Sequence, residues 1–544
     1  MKIVIVGGVA GGASCAARLR RLDEESTIVL FERGQHISFA NCGLPYYVGN
    51  VIREQGNLLV QTPEGMSTRF AIDVRTESEV TSIDRTKKTV TVKNHATGEH
   101  YTEAYDKLVL SPGASPIRPA NLDAPNVFTL RNIPDTLAIT SYAYRIEAKR
   151  AVVVGGGFIG IEMAENLTER GINVTLLELS PQIMPPLDVE MAAYLHKQLR
   201  TNGVDLHLGT GLASVSDGGK VVTLTDGTTV ETDLIVLGIG VRPETYLATE
   251  AGLALGITGG IRVNEQLQTS DPDIYAVGDA IEVTDYITRR PALIPLAGPA
   301  NKQGRIAANN IAGRPEVYKG TQGSSVLKVF DMTAASTGAS EKSLKRAGIA
   351  YEKSYTHSLS HAGYYGGATL ISLKLLYAPH TGKLLGAQAI GKSGVEKRID
   401  VLATAIRAGM SVFDLEELEL TYAPPYSSAK DPVNMGGYVA SNLIKGDCAA
   451  IHWDEIGTDD SGYNVDVRTP YEYKRGTIGN AVNIPVDELR DRLQELPTDK
   501  PIHIICQVGL RGYIAYRILA AHGFTGMKNL SGGYYLYNTA MNGK

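Results

Sequence analysis

Cysteine is scarce in this chain. Four residues in 544, widely separated, exclude a disulfide framework and lack the paired spacing of a zinc site, so no metal centre is expected. Such usage fits a reducing, cytoplasmic compartment. An excess of positive charge is also missing. At a net −5 the chain gives no support for a nucleic-acid or general polyanion binder, and any anion site must be local. No apolar run approaches the roughly 18 residues of a membrane span, so no membrane association is expected. The short apolar start, MKIVIVGGVAGG, passes directly into a glycine turn and an Arg-bearing helix without a small-residue cleavage site, and reads as a buried first strand.

What is present is ordinary globular composition, 43% hydrophobic and 20% charged, over a length that at about 150 residues per domain predicts three to four domains. A strand at 2–6, a run of glycines, a helix through SCAARLRRLDEE and a second strand at 27–31 make a βαβ opening. The same order returns at 151–154, 155–160, a helix through Arg170, and 173–177. Hairpin patterns such as KKTVTVKN and KVVTLTDGTTV lie between and after them. The segment TSDPDIYAVGDA then suggests that the first unit is discontinuous, with the second inserted into it. The expected fold is α/β: two Rossmann-like dinucleotide-binding domains (1–112 with 245–320, and 113–244), an α+β domain at 321–446, and a further α/β module at 449–544.

A side-chain-free turn lets backbone approach a pyrophosphate, and the helix that follows offers free N–H groups and a favourable dipole. Gly155, Gly157 and Gly160 in GGGFIG supply the full pattern. Glu178 ends the next strand, where a carboxylate binds ribose hydroxyls and repels a 2′-phosphate. Leu179 and Ser180 add no cation, so NADH is favoured over NADPH. In the first unit Gly7 and Gly12 hold the outer positions, Val9 replaces the middle glycine, and Glu32 ends the second strand.

These features, in this order, resemble the flavoprotein disulfide reductase family that binds two dinucleotides, over roughly residues 1–445. The resemblance implies FAD on Gly7, Gly8, Gly12, Glu32, Arg33, Val80, Gly113 and Ala297, with Asp279 bonding the ribityl chain. It implies NADH on Gly155, Gly157, Ile159, Gly160, Glu178 and Gly240. SPGASP at 111–116 and GIGVRPE at 238–244 look like the family's two domain-crossing segments.

Cys42 stands in SFANCGLPYY, a loop-like setting with Gly43 and Pro45. Most members of that family use two cysteines with four residues between them, but Tyr47 holds the second position here, so no internal disulfide can form. The oxidised form must be a sulfenic acid, a persulfide or a mixed disulfide with a small thiol. Oxygen and peroxide reductases of the single-cysteine type carry a histidine in the first glycine turn, where this chain has Ala10. The segment instead resembles coenzyme A-disulfide reductases. Ser14, Arg18 and Arg21 fall at i, i+4 and i+7 and share a helix face. Together with Ser38, Asn41, Asn301, Arg305 and Lys430 they match that family's coenzyme A positions, while Phe70 replaces a usual lysine. The resemblance further implies that Tyr364 and Tyr422 reach the cysteine of a partner subunit, hence a homodimer through 321–445.

Residues 449–544 resemble a rhodanese domain, with Cys506 opening the loop CQVGLR after a strand. Loop N–H groups and Arg511 are expected to lower the pKa of this thiol and cradle a persulfide. Asp466 and Arg468 are expected to support the domain, and Cys15 and Cys448 to be structural. The expected activity is NADH- and FAD-dependent reduction of coenzyme A persulfide, polysulfide or coenzyme A disulfide through Cys42, with Cys506 handling sulfane sulfur and coenzyme A as substrate or bound mixed disulfide. An NADH oxidase or peroxidase-type flavoenzyme, and a sulfurtransferase with an accessory reductase, are the alternatives.

Overall fold

The structure, a computed structural model, describes residues 1–120, 122, 124–457 and 462–543. They form two compact units, Met1–Leu179 with Gly203–Gly323, and Ser180–Asn202 with the chain from Ser324 onward.

In the first unit the opening strand Lys2–Val6 is central to a five-stranded parallel sheet, flanked by Thr27–Phe31 and then Asp73–Arg75 on one side, and by Lys107–Leu110 and then Ile274–Ala276 on the other. Ile3, Val4 and Ile5 are at most 1% exposed, as a strand covered on both faces requires. The strand Ile274–Ala276, from the far side of the inserted segment, completes this sheet. Helix Ala10–Arg20 packs on helix Ala297–Ile311 so closely that a Cβ on Gly304 would lie 2.2 Å from the Gly11 carbonyl oxygen. A second parallel sheet runs Asp205–Leu208, Asn173–Glu178, Arg150–Val154, Leu234–Leu237, Val127–Thr129. The two segments expected to cross between domains pair with each other: Ala114–Pro116 runs antiparallel to Val241–Pro243, joining Ser115 to Arg242.

In the second unit a five-stranded antiparallel sheet, Ser325–Val329, Met332–Gly338, Leu384–Gly391, Leu370–Tyr377, Glu352–Leu359, carries helices Val395–Ala408 and Pro432–Ile444. The C-terminal module is a parallel sheet, Ala450–Ile451, Met527–Leu530, Ile502–Ile505, Tyr463–Asp466, Val482–Asn483, with a core of Val465, Ile504, Leu519 and Met527. Helix Val189–Thr201 packs against both the antiparallel sheet and helix Gly533–Asn542. Among the described residues no helix is long and apolar enough to cross a membrane.

Candidate functional site

The two glycine turns share one geometry. Gly7 has φ +97° and Gly155 φ +105°, conformations that favour glycine, and a Cβ on Gly12 or Gly160 would fall within 2 Å of the Gly7 or Gly155 carbonyl oxygen. Gly157 is different, because a Cβ there would meet no protein atom within 4 Å. That open space above a helix N-terminus fits a pyrophosphate. The carboxylates expected at the strand ends accept from the turns: Gly8 N–H donates to Glu32 at 2.9 Å and Gly156 N–H to Glu178 at 2.6 Å. Gly113 and Gly240 also sit at positive φ, while Ile159 and Ala297 lie in the first turns of their helices. Val80 is buried in the core of the first sheet, and Arg33 pairs with Glu244 at 3.3 Å.

Cys42 lies in a 3₁₀ turn, Asn41–Gly43, that leads straight into helix Leu44–Val48 with Pro45 in its first turn. Of the four cysteines it is the exposed one. Partial enclosure, then the charges of Glu162 and Asp279, push its thiol pKa up, so both carboxyl groups lie within electrostatic reach of the thiol. Burial also raises the Asp279 pKa, against the pull of Arg131. The Asp279 carboxylate has no protein hydrogen-bond partner among the described residues, which suits a flavin ribityl hydroxyl.

Sequence reasoning missed Glu162 and Arg131. Burial followed by the charge of Glu165 lifts Glu162 to about 7. The signal was present in IEMAENL, where two glutamates at i and i+3 interrupt an otherwise buried helix face. Arg131 carries no motif. Its guanidinium donates to Ser115, to the Pro112 carbonyl at 3.1 Å and to Glu244 at 3.3 Å, and its own carbonyl accepts from Asn41 at 3.4 Å. It thereby ties the Cys42 turn to both crossing segments.

The expected coenzyme A groove is partly assembled in the first unit. Ser14 donates to Asn301, and Arg18 donates to Asn309 at 2.9 Å. Partial desolvation, then the charges of Arg305, Arg314 and Arg21, lower the Arg18 pKa, the mark of clustered cations. Phe70, where a lysine was expected, instead lies 6.0 Å beneath the Arg21 guanidinium. Ser38 has φ +43° and donates its N–H to the Gly8 carbonyl at 2.8 Å. Lys430, Tyr364 and Tyr422 belong to the second unit. There Lys430 is exposed, and the exposed Tyr364 and Tyr422 share a phenol–phenol hydrogen bond of 2.6 Å.

Cys506 follows strand Ile502–Ile505 and precedes helix Leu510–Ala521, and its Sγ accepts from the Gly509 N–H at 3.0 Å. The expectation of a lowered pKa is corrected here. Cys506 is fully buried, and the resulting desolvation raises its pKa despite the Gly512, Gly509 and Val508 amides and the charge of Arg511. Arg511 itself is held by a residue the sequence did not single out: it donates to both oxygens of Glu472, at 2.8 and 2.6 Å. The Arg511 hydrogen bonds lower the Glu472 pKa to about 2. Arg468 is buried against Asp466, with Nη2–Oδ2 at 2.6 Å, and donates to Gln507 at 3.2 Å.

Residues 1–304 match the pyridine nucleotide-disulphide oxidoreductase family, residues 324–432 the dimerisation domain of that family, and residues 450–540 the rhodanese-like domain. A coenzyme A disulfide reductase of Staphylococcus haemolyticus is 40% identical over 443 residues, 81% of this chain and 100% of the relative. The crystal structure of reduced Bacillus anthracis CoADR-RHD superposes with a TM-score of 0.98 at 55% identity, covering 99% of this chain and 98% of that one. The structure of an NAD-dependent persulfide reductase from A. fulgidus gives 0.93 at 38%, covering 99% and 100%.

Proposed function

The chain belongs to the pyridine nucleotide-disulphide oxidoreductase family, and on that premise we propose that it is an NADH-dependent FAD flavoenzyme reducing coenzyme A persulfide, polysulfide or coenzyme A disulfide through Cys42. One observation carries this reading: Cys42 is an exposed thiol within electrostatic reach of Glu162 and Asp279, and the other three cysteines are buried. The second sulfur must come from outside the chain.

FAD, when bound, supplies the electron pair taken from NADH. The chain's residues provide the rest. Gly157 and the adjoining helix N-terminus receive the NADH pyrophosphate, and Glu178 the ribose. Gly7, Gly12, Glu32 and Asp279 take the corresponding parts of FAD. Arg18, Arg21 and Arg305 attract the phosphates of coenzyme A and bring its sulfur to Cys42. With the persulfide, the Cys42 thiolate either attacks the outer sulfur and releases coenzyme A thiolate, or attacks the inner sulfur and releases hydrosulfide. Two electrons and a proton would then return Cys42 to the thiol, with hydrosulfide released on the first route and coenzyme A thiolate on the second. Glu162, at about 7, is able to hold or give up a proton beside it. The chain acts as a cytoplasmic homodimer, and Tyr364 and Tyr422 donate to a thiolate leaving the cysteine of a second copy. Cys506 takes sulfane sulfur, which coenzyme A carries onward.

Steady-state NADH consumption under anaerobic conditions tests the assignment, with wild type, Cys42→Ser and Cys506→Ser compared on coenzyme A disulfide, coenzyme A persulfide, glutathione persulfide and polysulfide. Loss with every substrate at Cys42 and with only some at Cys506 is the expected pattern. Oxygen uptake persisting at full rate in Cys42→Ser would assign the chain to the oxidases instead.

A further inference from the structure

The Cys506 centre has an unusual charge balance. Its sulfur faces amide dipoles, from Val508, Gly509 and Gly512, that suit a single negative charge on a thiolate or persulfide. Both arginines at the centre are already matched by carboxylates. Arg468, 2% exposed, spends Nε and Nη2 on Asp466, Nη1 on Gln507 and a further Nη2 bond on the Gly476 carbonyl. Arg511, whose charge is felt at Cys506, makes a two-bond pair with Glu472, and both side chains are only about 30% exposed (30% and 28%). Thr469 also fixes Glu472, donating its N–H at 3.0 Å and its hydroxyl at 2.9 Å to Oε2, in the capping box of helix Pro470–Lys474. Arg475, at the end of that helix, is exposed and stacks on Tyr471 at 5.6 Å.

We propose that Glu472 determines the donor specificity of Cys506: by occupying Arg511 it withholds a counter-charge from sulfonate-type donors such as thiosulfate, and restricts the centre to sulfane sulfur carried on an organic thiol. This rests on the reading of Cys506 as a sulfur-handling residue. With an organic persulfide, the Cys506 sulfur gives up its proton and attacks the outer sulfur, the S–S bond breaks, the organic thiolate leaves with the bonding pair and takes that proton, and Cys506 retains the –SSH group. Thiosulfate would react by the same displacement with sulfite leaving, but it brings two negative charges beside a thiolate in a centre whose arginines are neutralised. Cyanide attack on the outer sulfur then yields thiocyanate and restores the thiolate, so no external oxidant or reductant is needed.

The test uses the full-length holoenzyme and measures thiocyanate formation from thiosulfate and from glutathione persulfide, in wild type, Glu472→Gln and Cys506→Ser. In wild type the persulfide is the better donor, and in Glu472→Gln the ratio of thiosulfate to persulfide kcat/KM rises about tenfold, the scale of one partly screened charge. A wild type that uses both donors equally, or a ratio unchanged by the substitution, overturns the proposal. If Cys506→Ser keeps both activities, the sulfur-handling reading itself fails. Should Glu472→Gln not fold, inhibition of wild-type persulfide turnover by sulfate decides: competitive inhibition at millimolar sulfate overturns the proposal, and its absence supports it.

Discussion

The imidazole of His196 donates through Nδ1 to the Gly543 carbonyl at 2.7 Å, while its Nε2 accepts from the Ile183 amide at 3.2 Å. Both ring nitrogens are satisfied only in the neutral ring, because a second proton would point at a donor. Burial accordingly lowers its pKa from 6.5 to about 4. The unfolded chain therefore binds more protons between those values, and stability present above pH 6.5 is lost as the pH falls towards 4, by on the order of 3 kcal/mol. Urea unfolding followed at Trp453, the single tryptophan and part of the same unit, should show its midpoint falling over that window. His196→Asn should reduce the slope by roughly a third, because burial also lowers His357 and His452 of the same unit to about 4. A difference between the two proteins that is constant with pH would sink this account.

Lys374 is a fully buried ammonium 2.8 Å from Asp188, 2.5 Å from Glu190 and 2.5 Å from Glu341. Burial would favour its neutral form, but the surrounding negative charges hold it well above the usual lysine range. Lys374→Met leaves three buried carboxylates facing one another and should cost roughly 3–5 kcal/mol. The same Trp453 measurement at pH 7 reports it. An unchanged midpoint would mean that the cluster contributes nothing net. Glu341, held far below its ordinary 4.5, adds stability that is lost only below that pH, so this acid sensitivity overlaps little with that of His196.

Gly157 and Gly160 separate binding from folding within one motif. A methyl on Gly160 would sit 1.8 Å from the Gly155 carbonyl oxygen, whereas one on Gly157 meets nothing in the protein. Gly160→Ala should destabilise the first unit by on the order of 3 kcal/mol or more. Gly157→Ala should fold and bind FAD normally while the KM for NADH rises about tenfold. Thermal unfolding and NADH titration distinguish the two, and a normal KM in Gly157→Ala would remove the pyrophosphate from that space.

The sequence reveals what is local. The glycine turns, the acidic residues that close each βαβ unit, Cys42 and the Cys506 loop all announce themselves within stretches of about thirty residues. What stays hidden depends on distant partners. Lys374 meets Asp188 across 186 positions, and Arg511 meets Glu472 across 39, so neither ion pair leaves a spacing to read. Helix Val189–Thr201 continues the second βαβ pattern in sequence yet packs with the C-terminal unit, because its apolar face and His196 find their partners there. The Cys506 pKa is illegible in the sequence for a related reason: loop amides can be counted from a motif, but the burial that outweighs them comes from the whole domain.

Glu162 offers a direct probe of the redox cysteine. Its charge raises the Cys42 pKa, and its own pKa of about 7 means that the repulsion is switched on as the pH rises through neutrality. Removing the charge stabilises the thiolate, so in Glu162→Gln the pH midpoint for alkylation of Cys42 by iodoacetamide should move down. The rate at pH 8 should exceed that of wild type. Because the other three cysteines are buried, the alkylation reports on Cys42 selectively. Asp279→Asn should act in the same direction, since its carboxylate also opposes the thiolate, but its effect should be smaller because Glu162 contributes more to the shift. If neither substitution moved the midpoint, enclosure alone would set the pKa, and the proton-handling role given to Glu162 would lose its basis.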